Sequence, residues 1–116
     1  VKKIDIWNLT QKEAIRLFRK HWTWLAKTGL NKEDCPPEVI EGIDLYDLDY
    51  GCFLCQYDKI HIRDYCTNNC LIKWPGGSCG SAKGPYKEWS DAPLLQTKKE
   101  LAREIANLPV RKGVRA

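Results

Sequence analysis

Five of the six cysteines fall in one short stretch, spaced Cys52-x2-Cys55-x10-Cys66-x3-Cys70-x8-Cys79. Two close thiol pairs separated by a short segment form the ligand pattern of a tetrahedral zinc site. Each pair offers two thiolates from one turn, and the intervening residues carry the second pair across to complete the tetrahedron. The expected ligands are Cys52, Cys55, Cys66 and Cys70. Cys79, followed by glycine, is the alternative to Cys66 or Cys70. Cys35, which precedes two prolines, is expected to be a buried thiol outside the set. His61 lies between the pairs and is read as a strand residue more readily than as a ligand. Soft thiolate donors in a tetrahedron favour zinc, and nothing in the spacing asks for an iron–sulfur cluster. The same cysteine count also fits three disulfides in a secreted chain. The first residues, Val1-Lys2-Lys3-Ile4-Asp5, lack the apolar run of an export signal. That points to a reducing cytosol, where thiols bind metal rather than pair.

A closed four-sulfur site leaves no coordination position for water, which catalytic zinc needs. Neither the histidine–glutamate and Pro-Cys-x-x-Cys pattern of the deaminases nor His-Glu-x-x-His occurs in the chain. The two histidines, His21 and His61, give nucleophilic chemistry little to work with. The expectation is a protein that is not an enzyme.

Length fits one domain, residues 1–116, and 43% hydrophobic residues support a modest core that a metal helps to hold. No apolar run approaches membrane-spanning length. Charge is uneven: residues 1–30 carry seven basic and two acidic side chains, whereas residues 31–50 carry one basic and seven acidic. The acidic stretch suits either a soluble loop or pairing with the basic ends. Thr10 and Glu13 form a capping box, and Ala14, Ile15, Phe18, Trp22 and Leu25 recur at helical spacing, so a helix is predicted over residues 11–27 and is stopped by Gly29. Pro36-Pro37 can start a short helix through Ile40. Aromatic residues frame the first thiol pair, which suggests a hairpin gripping the metal within a zinc-binding segment, residues 50–80, with Ile60 and Ile62 on the return strand. A second helix is expected over residues 92–108, capped by Asp91, with Pro93 in its first turn. The predicted fold class is therefore α+β: two amphipathic helices packed around a zinc-binding β-hairpin and a Gly/Pro-rich loop.

That loop mixes Lys73, Trp74, Lys83, Tyr86 and Trp89, which we take as candidate partner-binding residues. Aromatic rings anchor protein interfaces, and they also stack on bases while lysines attract phosphates. The plainer alternative is that the tryptophans plug the core and the lysines face water.

Cys52-Phe53-Leu54-Cys55, Cys66 with Cys70, Trp74-Pro75-Gly76-Gly77-Ser78-Cys79 and Pro85-Tyr86 up to Trp89 together resemble small cysteine-rich accessory proteins of phages and prophages, as does His21-Trp22-Thr23-Trp24-Leu25. The resemblance implies a viral protein acting in the host cell cytoplasm. It would dock on a host protein or complex, with inhibition of a defence system as one such role. A zinc module that binds nucleic acid or a nucleotide is the alternative expectation.

Overall fold

In the computed structural model, residues 4–48, 51–61, 71–75 and 84–111 are described. Four α-helices occur among them: α1 (Gln11–Thr28), α2 (Phe53–Ile60), α3 (Pro85–Asp91) and α4 (Leu95–Ala106). Short 3-10 turns lie at Ile6–Asn8, Lys32–Asp34, Pro37–Ile40 and Leu45–Asp47.

Helix α1 organises the rest. The Thr10 hydroxyl accepts from the Glu13 amide at 3.1 Å, and the Glu13 carboxylate accepts from the Thr10 amide at 2.9 Å. The helix ends at Gly29, whose φ of 72° is left-handed and whose amide donates to Leu25 O. Its inner face buries Ala14, Ile15, Leu17, Phe18, His21, Trp22, Leu25 and Ala26. Helix α4 lies against α1 along its length, with α2 and α3 filling the flanks. Arg19 of α1 fixes the far end of α4 by donating to Ala106 O at 2.7 Å and Leu108 O at 3.0 Å. The Ala106 carbonyl is one of the acceptors that a helix leaves unmet at its C-terminus, so a guanidinium there also suits the helix dipole.

The expected α+β architecture is not what forms. Of the described residues 66% are helical and 2% extended, with no sheet. The one described β-bridge joins Ile72 to Val110, with Lys73 N donating to Pro109 O and Arg111 N to Leu71 O, both at 2.8 Å. Where the hairpin was expected, the first thiol pair opens α2. The reason is local: Phe53, Tyr57 and Ile60, with Leu54, recur at three- and four-residue spacing as well as they frame a turn. Over eight residues, period alone does not separate strand from helix. Ile62 and the remainder of the proposed return strand lie outside the described residues.

The predicted second helix forms as α4, within residues 92–108 but starting at Leu95, and a separate helix, α3, precedes it. Asp91 ends α3 instead of capping α4, and Pro93 sits in the break. Proline disfavours helical backbone in the residue before it, and Ala92 is extended at ψ 120°. The last part of the Gly/Pro-rich segment is consequently helical, running from Pro85 at the first position of α3.

Candidate metal centre

Gly51, at a left-handed φ of 59°, turns the chain into α2. Cys52 is the N-cap, with extended backbone (φ −132°, ψ 123°), and Cys55 stands three residues on, at the end of the first turn. Both thiols therefore belong to one helix end. Backbone amides there point outward, and the positive end of the helix dipole favours sulfur as thiolate. Cys52 is half-buried and Cys55 is 2% exposed.

Lys32 faces this helix end. Its carbonyl accepts from His21 Nε2 at 3.1 Å, and the His21 ring meets Phe53, the neighbour of Cys52, edge-on at 6.5 Å. The half-buried Lys32 side chain donates from Nζ to the Tyr86 hydroxyl at 3.2 Å and lies 5.2 Å from that ring's centre. Among the described residues no carboxylate pairs with it. Burial alone lowers the Lys32 pKa. The charges of Cys52 and Tyr86, the Tyr86 hydrogen bond and the charge of Cys55 outweigh that and hold it above the ordinary lysine value. An open cleft of about 350 Å³, lined by Lys32, Tyr46, Gly51 and Tyr86 among others, reaches the same corner.

The donor chemistry fits half of a tetrahedral thiolate site: two soft ligands one turn apart, at a helix N-terminus, beside a cation. The expected second pair, Cys66 and Cys70, lies outside the described residues, as do Cys79 and Lys83. Among the described residues no three metal-ligating side chains converge. His61 caps the opposite end of α2, its ring 4.1 Å from Tyr57 and its Nε2 3.4 Å from Leu9 O, so it stands away from the thiols. Cys35 is buried as expected, and that burial raises its thiol pKa to about 11.

Trp74 and Trp89 are each only 5% exposed. Trp89 packs edge-on against Trp22 at 4.8 Å, and Trp74 meets Phe18 at 6.0 Å. Tyr86 joins them at 5.8 Å from both Trp22 and Trp89. These rings close the core above α1, and Lys73 is the exposed member of the candidate set within the described residues. The Trp89 indole N–H finds no hydrogen-bond acceptor among the described residues. Lys98 covers the ring from outside at 4.9 Å.

Two groups escaped the sequence reading. Lys32 belongs to an acidic connector and carries no motif. Asp58 is fully buried on α2, one turn beyond Cys55. A carboxylate so placed requires compensating donors or charge. Treating the segment as a strand hid this, because only helical spacing puts Asp58 and Cys55 on one side.

No protein-family model, curated protein or solved structure matches the chain. Among the described residues no helix is long and apolar enough to cross a membrane.

Proposed function

We propose that this chain is a non-enzymatic binding module whose middle segment is organised by one zinc ion, with Cys52 and Cys55 as one half of the ligand set and Cys66 and Cys70 as the other. The carrying observation is the placement of Cys52 and Cys55 on one helix end, facing a half-buried lysine that no described carboxylate balances. Zinc there would supply cross-linking between α2 and the second thiol pair, and binding free energy at such a site is folding free energy. The protein's own contribution is to orient two sulfurs and exclude water from Cys55.

Its action is docking on a host protein or complex, which rests on the resemblance to phage accessory proteins. The nucleic-acid alternative draws no support from Trp74 and Trp89, because buried rings offer no face to a base.

Affinity capture from host lysate tests the reading when run with zinc-loaded and chelator-stripped protein. A stoichiometric partner retained by the loaded form and lost on stripping is the expected result. Capture unaffected by stripping, or a tightly bound small molecule with no protein partner, contradicts it.

A further inference from the structure

We infer that the outer face of α1 is a docking surface for a short, extended acidic segment of a partner protein, with carboxylates at its two ends and an apolar side chain between them. The inference rests on the docking part of the proposed function and makes no use of zinc.

Arg16, Lys20, Thr23 and Lys27 follow one another at spacings of four, three and four residues, so they share one side of α1, and all four are exposed. They line an open groove of about 610 Å³, to which Trp24 of α1 and Val39 of the connector, both half-buried, give an apolar middle. Arg19 borders it too, but its guanidinium is committed to the carbonyls at the end of α4. How the groove treats a carboxylate is visible at one end. Arg16 donates from Nε and Nη2 to the two oxygens of Glu41, at 2.9 and 3.0 Å, and Lys20 Nζ lies 3.0 Å from one of them. That is the two-pronged grip by which arginine recognises carboxylates. Hydrogen bonding to Arg16, helped by Lys20, holds the Glu41 carboxyl below its ordinary pKa against the opposing effect of burial.

Glu41 is a displaceable occupant. The Arg16 and Lys20 side chains that hold it are 43% and 46% exposed, and ion pairs so open to water are weak. Glu13 adds a lesser attraction on Arg16, its carboxylate being engaged in the cap of α1. At the other end, Lys27 pairs with no carboxylate among the described residues. Positive charge is therefore left over towards Lys27, and it selects an anionic occupant. At 1.5 Å per residue, Lys27 lies about 16 Å along the helix from Arg16. An extended segment of about five residues spans that length. Its end carboxylates meet Arg16 with Lys20 and Lys27, and its middle side chain meets Trp24 and Val39. The apolar middle favours such a peptide over a nucleic-acid strand, whose backbone carries charge along its whole length.

The test is fluorescence anisotropy of a rhodamine-labelled peptide, Glu-Glu-Leu-Leu-Glu-Glu with blocked ends, titrated with the full chain at physiological salt. Wild type should bind it and should not bind the same peptide with glutamine in place of glutamate. Lys27→Glu should weaken binding by about tenfold. Glu41→Gln removes the internal competitor and should tighten binding by about twofold to fivefold. Lys87→Glu makes the same change of net charge on α3, outside the groove, and should leave the affinity unchanged. If Lys27→Glu does not fold, Lys27→Gln carries the comparison with a smaller loss. No binding by wild type, equal losses in Lys27→Glu and Lys87→Glu, or weaker binding by Glu41→Gln overturns the proposal. So does tighter binding of an oligothymidylate than of the peptide, which would mark a nucleic-acid surface. The expected pattern with the peptide, but no stoichiometric protein captured from host lysate, would support the surface and contradict the docking reading. Capture of a partner undiminished by Lys27→Glu would do the reverse.

Discussion

The His21 imidazole is only 2% exposed, and its Nε2 lies 3.1 Å from Lys32 O. A carbonyl can only accept, so Nε2 carries the proton of the neutral ring. Burial lowers the His21 pKa to about 4, partly opposed by that hydrogen bond, with the Lys32 charge lowering it further. The unfolded chain, with an ordinary histidine, binds a proton in the window between about pH 6.5 and pH 4 that the folded chain refuses. The stabilisation is therefore complete above the unfolded value and is lost as pH falls towards the folded one. At full loss it amounts to roughly 3 kcal/mol. The melting temperature of wild type should fall across this window more steeply than that of His21→Gln, compared pairwise so that effects common to both cancel. Parallel profiles would show that His21 does not carry the pH dependence. The apolar stripe read from the sequence, Ala14, Ile15, Phe18, Trp22 and Leu25, did not include His21. Its depth depends on Phe53 and the connector packing over it, which α1 alone does not reveal.

Among the elements, α1 was legible because three independent signals agree: the Thr10–Glu13 box, the apolar stripe and Gly29 as the stop. Each can be checked by substitution. Thr10→Ala removes one half of the capping box and should cost about 1 kcal/mol. Gly29→Ala should cost more. Its φ of 72° is unfavourable for any residue with a Cβ, and the added atom would meet the Leu95 side chain. Chemical denaturation of both variants ranks them, and the reverse order would contradict the packing of Leu95 against the end of α1. The short elements were less legible for a physical reason. Helix α2 spans two turns, and its apolar residues satisfy a hairpin pattern equally well. The boundary between α3 and α4 is set by Pro93 acting on Ala92, whereas Asp91 and Pro93 together also spell a helix start. In both cases long-range contacts with α1 decide between local alternatives.

Across the whole molecule, the uneven charge is partly resolved within the chain. Glu41, from the acidic connector, accepts from Arg16 at 2.9 Å and pairs with Lys20 at 3.0 Å on α1. These pairs are partly exposed, so they orient the connector more than they stabilise it. The larger organising contacts are the α1–α4 packing, the Arg19 clamp on the end of α4 and the bridge of Ile72 to Val110. That bridge ties the segment between Cys70 and Cys79 to the chain beyond α4. The cysteine spacing pointed to a centre in the middle of the chain but did not specify its secondary structure, since a thiol pair can open a helix as readily as sit in a hairpin turn. Likewise, the tryptophans of the Gly/Pro-rich segment look alike in sequence whether they face a partner or the core. Burial of Trp74 and Trp89 assigns these two to the core.

Zinc K-edge absorption spectroscopy on untagged protein, purified without added metal, addresses the central claim most directly. The account predicts stoichiometric zinc with an all-sulfur first shell at about 2.3 Å. Protein free of zinc, or a shell dominated by nitrogen and oxygen, would contradict it.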